Sequence, residues 1–214
     1  MATCAVAFRA EATASALAAF ASEPGLLETM MTRHVLVLGG ARSGKTAFAE
    51  QLAIRSGKSP AYLATAEALD AEMRDRVASH QASRAGRFAT LEEPLALSGA
   101  LHAAARKHDV ILVDCLTLWI TNLLMANEDV SQAVTALGHT LVELRSSKVI
   151  LVSNEVGLGI VPDNAMARTF RDLAGAAHQQ LAEICDDAYF IVAGLPLTLK
   201  GEPPGAPEPR VHEA

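Results

Sequence analysis

Gly39-Gly40-Ala41-Arg42-Ser43-Gly44-Lys45-Thr46 decides how this chain is read. The stretch fits G-x-x-x-x-G-K-[ST], the pattern of a polyphosphate-binding loop. Small residues let the backbone wrap a polyphosphate so that successive amide N–H groups face its oxygens. Lys45 adds positive charge near the β- and γ-phosphates, and the Thr46 hydroxyl can join the shell of a Mg²⁺ ion. The pattern alone also describes a glycine-rich turn that binds nothing, so its setting matters. His34-Val35-Leu36-Val37-Leu38 precedes it as a short apolar run, the pattern of a buried strand. Ala47 to Ile54 follows it with apolar residues at helical spacing. A strand, a glycine loop and a helix in that order place the loop at a helix N-terminus, whose dipole favours an anion.

Outward from this loop the pattern alternates. Pro60 to Ala66 reads as a second strand and its exit, and Asp70 to Gln81 as a polar helix. Arg87 to Leu91 reads as a short strand and Leu95 to Lys107 as an Ala-rich helix. Val110-Ile111-Leu112-Val113-Asp114 is an apolar strand ending in a carboxylate. Leu116 to Met125 and Val130 to Leu144 read as helices, Val149 to Val152 as a strand, and Gly157 to Asn164 as a loop. Ala165 to Cys185 reads as a long helix. Ala188 to Ala193 reads as a late strand, with Pro196 to Leu199 as a candidate further one. Continuous apolar strands between helices indicate an α/β fold of the phosphate-loop NTPase kind, a mainly parallel sheet with helices on both faces. One core domain is expected over 32–200. The Ala-rich stretch 1–31 reads as an extension or an over-long start ahead of Met30 and Met31, and 201–214 as a loose Pro/Gly-rich tail.

Composition narrows the partners. Half of the 214 residues are hydrophobic, enough for a substantial core, and the formal net charge is −6. An acidic chain with no basic block is a poor general binder of nucleic acid. The three cysteines, Cys4, Cys115 and Cys185, are scattered without C-x-x-C. They form no zinc signature and suit a reducing cytoplasm. No apolar run reaches the length of a membrane-spanning helix.

Asp114 stands at the carboxyl end of its strand, where open α/β sheets bind ligands. A carboxylate there can hold Mg²⁺, directly or through water, opposite Thr46; a strand-end turn or helix cap is the plainer role, and the phosphate loop favours the first. His80, one of seven histidines, ends the charged helix and has Arg74, Arg76, Arg84 and Arg87 nearby. On composition alone it reads as part of a solvated face.

Four segments taken together carry more information. The phosphate loop, Tyr62-Leu63-Ala64-Thr65-Ala66, the Asp70-x-Glu72-Met73 to Arg76-x-x-x-His80 helix and Asn154-Glu155-Val156-Gly157-Leu158-Gly159-Ile160-Val161-Pro162 occur in this order. In this combination the chain resembles the bifunctional adenosylcobinamide kinase / adenosylcobinamide-phosphate guanylyltransferase family, over roughly residues 33–200. The resemblance implies phosphorylation of the aminopropanol hydroxyl of adenosylcobinamide. It also implies transfer of GMP from GTP onto that phosphate, with release of pyrophosphate. It implies that His80 becomes covalently guanylylated, a role open to an imidazole whose ordinary pKa is about 6.5.

By the same match Ala64, Thr65, Ala66, Gln81, Ala82, Ser83, Arg84, Glu92 and Asp114 fall where the family binds guanine nucleotide. Glu92 or Asp114 would then accept from guanine N1–H and the N2 amino group. That role competes with Mg²⁺ for Asp114, and the sequence leaves both open. Many family members carry Glu where Asp114 stands, and the 1–31 stretch lies outside the family pattern. Mg²⁺, GTP or ATP as co-substrate, a corrinoid substrate and self-association into a homo-oligomer are the expected partners. The rival readings are a phosphate-loop kinase of another metabolite, a non-catalytic guanine-nucleotide-binding module and a GTPase switch. The last lacks its N-K-x-D motif, and Asp172-Leu173-Ala174-Gly175 spells D-x-x-G only inside a helical stretch.

Overall fold

A computed structural model describes residues 32–66 and 86–205. The expected helix over Asp70–Gln81, the 1–31 extension and the tail beyond residue 205 lie outside these residues. The described residues from Arg33 onward belong to one compact unit.

Seven strands form one sheet: β1 (Val35–Gly39), β2 (Pro60–Ala64), β3 (Ala89–Glu92), β4 (Val110–Asp114), β5 (Lys148–Asn154), β6 (Asp187–Val192) and β7 (Leu195–Lys200). Their order across the sheet is β3-β2-β4-β5-β1-β6-β7. All pairings are parallel except β6 with β7. The described helices are α1 (Lys45–Ser56), α2 (Leu97–Ala105), α3 (Leu116–Met125), α4 (Val130–Glu143) and α5 (Ala165–Ile184).

The continuous apolar runs of β1, β4 and β5 follow from their position: both faces of the central sheet are covered, so alternation with polar residues disappears. Leu36, Leu63, Ile111, Val113 and Leu151 point to a core completed by α2, α3, α4 and α5. Val35, Val37, Leu112, Ile150 and Val152 point the other way, against Phe48, Ala49 and Ala53 of α1. Burying one such Leu, Ile or Phe side chain is worth about 1.5–3 kcal/mol relative to leaving it in water. The α/β expectation therefore holds, with α1 on one face and four helices on the other among the described residues.

Most element ends lie within two or three residues of the sequence reading, and three of the differences have a local reason. Helix α2 begins at Leu97 rather than Leu95, because the Glu93 carboxylate accepts from the Leu95 and Ala96 backbone N–H groups and holds them in a turn. Strand β3 is shifted to Ala89–Glu92, the register that pairs Ala89 to Ala61 and Glu92 to Ala64. Strand β7 returns antiparallel to β6 through Ala193 and Gly194, whose φ values of 51° and 80° form the tight left-handed connection that suits a two-residue hairpin.

Candidate nucleotide site

The parallel strands end together along one edge of the sheet. Glu92, Ala64 and Asp114 are in register across β3, β2 and β4, and Gly39 is in register with Asn154 of β5. Residues 40–44 leave β1 at this edge and lead into α1.

The glycines at the fixed positions of the motif have distinct reasons. A Cβ on Gly39 would meet Ser43 Oγ at 2.6 Å and the Ile191 carbonyl at 2.8 Å. Gly44 takes φ 94°, which L side chains rarely adopt. Two long-range backbone bonds fix the loop from outside: Glu155 N–H donates to the Gly39 carbonyl at 3.0 Å, and Gly194 N–H to the Ser43 carbonyl at 2.8 Å. Helix α1 then starts at Lys45 with no side-chain cap and no acidic residue in its first turn. Its first amide N–H groups are the kind a bound anion satisfies.

Lys45 is largely buried and its Nζ donates to the Gly40 carbonyl at 3.3 Å, so its charge lies across the loop. Thr46 Oγ1 donates to Asp114 Oδ2 at 3.1 Å. The two residues expected to face each other across a metal are thus neighbours, although they are 68 positions apart in sequence. Tyr62 OH donates to the same Oδ2 at 2.7 Å. Among the described residues no cluster of three His, Cys, Asp or Glu side chains forms a metal cage. A Mg²⁺ ion at a polyphosphate does not need one: one carboxylate, one hydroxyl, phosphate oxygens and water suffice. The Asp114–Thr46 pair fits that donor set.

The other expected residues are distributed along the same edge. Ala64 is buried and its carbonyl accepts from Glu93 N–H at 3.0 Å. Thr65 is fully buried; its hydroxyl donates to the Cys115 carbonyl at 2.8 Å and accepts from Cys115 N–H at 3.0 Å, which braces β2 to β4. Ala66 is half-buried and Glu92 exposed at the outer end of the edge. Gly40, Ala41 and Arg42 are half-buried or exposed on the loop, with Arg42 at φ 55°. His80, Gln81, Ala82, Ser83 and Arg84 lie outside the described residues.

Several contacts at this edge were not foreseen. Tyr62 sits two residues before Ala64 on β2, hence on the same face, and only the pairing of β2 with β4 brings it to Asp114. Asn154 Nδ2 donates to Thr117 Oγ1 at 3.0 Å, tying the end of β5 to α3. Asn122 Nδ2 donates to the Thr65 and Pro94 carbonyls, joining the exits of β2 and β3. His178 of α5 is buried behind the Asn154–Pro162 loop, and burial pushes its pKa down while Glu155 pulls it up less strongly. The loop itself exposes Leu158, Ile160 and Val161. With Arg171, Gln179 and Glu183 of α5 it borders an open groove of about 740 Å³.

A family model described as "Cobinamide kinase / cobinamide phosphate guanyltransferase" matches residues 35–199. The chain is 51% identical over 170 residues to the bifunctional adenosylcobalamin biosynthesis protein CobP of Pseudomonas aeruginosa, spanning 78% of this chain and 98% of that protein. It is 37% identical over 180 residues to the bifunctional adenosylcobalamin biosynthesis protein CobU of Escherichia coli, spanning 78% and 99%. Among solved structures it is similar to the flagellar accessory protein FlaH of Methanocaldococcus jannaschii, with 14% identity and a TM-score of 0.47 over 80% of this chain and 79% of that one. No described helix is long and apolar enough to cross a membrane. With the family match running across nearly the whole sheet and its phosphate loop, the chain belongs to the cobinamide kinase / cobinamide phosphate guanyltransferase family.

Proposed function

We propose that one phosphate loop serves both reactions of this family, with His80 as the acceptor of GMP in the second. The observation that carries this reading is the convergence of Lys45, Thr46 and Asp114 at one end of the sheet, beside an uncapped helix N-terminus.

In the kinase reaction the aminopropanol hydroxyl of the corrinoid attacks the γ-phosphorus of a nucleoside triphosphate. The substrate supplies the nucleophile, so the protein's task is positioning and charge stabilisation. The loop amides hold the β- and γ-phosphates, and Lys45 moves its charge from the Gly40 carbonyl onto them. In the guanylyl transfer a neutral His80 imidazole nitrogen attacks the α-phosphorus of GTP. The bond from that phosphorus to the α–β bridging oxygen breaks, and pyrophosphate leaves on the loop that already grips it. The corrinoid phosphate then takes GMP from His80 and regenerates the imidazole. Mg²⁺, when bound, neutralises phosphate charge, and Asp114 with Thr46 would hold it. Glu92 and Asp114 are separated by the intervening β2, so their backbones stand about 10 Å apart. This spacing favours Asp114 at the phosphates and Glu92 toward the guanine base.

The test uses GTP labelled at the α-phosphate, with Mg²⁺, on wild type and His80→Ala. Wild type should retain one GMP per chain through a bond that breaks in acid and survives base. His80→Ala should lose guanylyl transfer and keep substantial kinase activity. An adduct that persists in His80→Ala would overturn the assignment.

A further inference from the structure

The strongest unassigned feature lies beside the phosphate loop. Asp114 Oδ2 accepts two hydroxyl hydrogen bonds, from Tyr62 at 2.7 Å and from Thr46 at 3.1 Å. A carboxylate oxygen has two lone-pair sites, so these two donors fill Oδ2. Oδ1 accepts no hydrogen bond from the described residues and is the oxygen left to face a cation or its water. The Tyr62 ring is buried and meets Phe88 edge to face, with centroids 6.1 Å apart and planes at 82°. The ring therefore cannot swing away, and its hydroxyl is delivered to one place.

We propose that Tyr62 is a positioning residue that locks the Asp114 carboxylate with Oδ1 presented to the metal. This inference rests on the reading that Asp114 and Thr46 hold Mg²⁺. The torsion that turns a carboxylate about its own axis is broad and nearly two-fold. Thr46 alone, at the longer distance, leaves that rotation loosely restrained. Thr46 also has to offer its own oxygen to the metal while its proton stays on Oδ2, and this works only if the carboxylate does not turn. Tyr62 supplies the restraint from the opposite strand without touching nucleotide or metal. Groups that orient a metal ligand in this way typically contribute 10–100-fold to metal affinity.

The experiment compares the full chain as wild type, Tyr62→Phe, Phe88→Leu and Asp114→Asn, with Mn²⁺ as the metal probe and GTP present. Bound Mn²⁺ is read by electron paramagnetic resonance, GTP affinity without metal by equilibrium binding, and folding by melting temperature. Tyr62→Phe keeps the ring against Phe88 and removes only the hydroxyl. It is expected to weaken Mn²⁺ binding 10–100-fold, leave metal-free GTP affinity at the wild-type value, and recover kcat at high Mg²⁺. Phe88→Leu keeps the hydroxyl but frees the ring, and should weaken Mn²⁺ in the same direction by a smaller factor. If Tyr62→Phe and Phe88→Leu both bind Mn²⁺ like wild type while Asp114→Asn loses it, the positioning role is overturned and the metal reading stands. If Asp114→Asn itself binds Mn²⁺ like wild type, the metal reading fails and the role of Tyr62 falls with it.

Discussion

Ser153 Oγ lies 2.7 Å from His178 Nε2, a buried contact that ties strand β5 to helix α5 at the level of Leu38 in β1. The other ring nitrogen, Nδ1, faces Glu155 Oε2 at 3.7 Å and has no hydrogen-bond partner among the described residues. The nearby carboxylate favours the proton on Nδ1, with the Ser153 hydroxyl donating to Nε2. Glu155 in turn accepts from Gly157 N–H through Oε1 and gives its own N–H to Gly39. One buried imidazole thus supports the turn on which both the Asn154–Pro162 loop and the end of β1 lean.

Replacing His178 with Ala should therefore cost stability and loop order together. It leaves Ser153 buried without its partner, at about 1–3 kcal/mol, and opens a void beside it. A fall in melting temperature, with faster amide exchange at residues 155–161 than at β4, is the expected result. Unchanged exchange in that loop would show that His178 is only packing.

His34 should make the fold sensitive to mild acid. Its Nδ1 accepts from Val149 N–H at 3.1 Å and its Nε2 donates to the Leu141 carbonyl at 2.7 Å, so the neutral ring is fully used. Burial holds its pKa below the ordinary value. An unfolded chain takes up a proton on this ring below about pH 6.5, whereas the folded chain resists it. The contribution is complete above about pH 6.5 and is lost as pH falls from there toward the depressed folded value. His178, also depressed by burial, acts in the same direction. Melting temperatures between pH 8 and pH 5 should fall more steeply for wild type than for a His34→Gln variant.

Gly39→Ala should abolish nucleotide binding while most of the sheet survives. The added methyl would sit 2.6 Å from Ser43 Oγ and 2.8 Å from the Ile191 carbonyl, and the second of these is backbone that cannot step aside. Isothermal titration with GTP should show no binding, and far-ultraviolet circular dichroism should retain the α/β signature.

Lys45→Ala should lower both reactions by roughly 10²–10³-fold, since the charge it carries onto the β- and γ-phosphates serves the transferred group in one and the leaving group in the other. Loss of only one activity in a paired steady-state assay would mean that the two reactions use different phosphate sites.

The fold was legible where physics leaves few choices. Val35–Leu38, Val110–Val113 and Val149–Val152 are almost wholly buried, and a strand covered on both faces has to be apolar throughout. Thr46 and Asp114 could be named because the phosphate chemistry fixes their types and positions along their elements. What escaped depends on which strands become neighbours. Tyr62 reaches Asp114 only because β2 lies beside β4, and Ser153 reaches His178 only because α5 crosses behind β5. The start of α2 escapes the sequence for a smaller reason: the Glu93 carboxylate accepts from the Leu95 and Ala96 N–H groups ahead of the first helical turn. The sequence leaves Asp114 between metal and guanine because its distance to Thr46 is a property of the sheet.

The phosphate loop is built near the start of the core, yet its outside supports come from its far end. Gly39 is held by the N–H of Glu155 and Ser43 by the N–H of Gly194, and β1 lies between β5 and β6. A ribosome that has delivered the whole G-x-x-x-x-G-K-T motif has therefore delivered none of the scaffolding that shapes it. Stalled nascent chains ending before Gly194 should stay blind to GTP however long they wait, and competence should arrive abruptly once the last hairpin clears the exit tunnel.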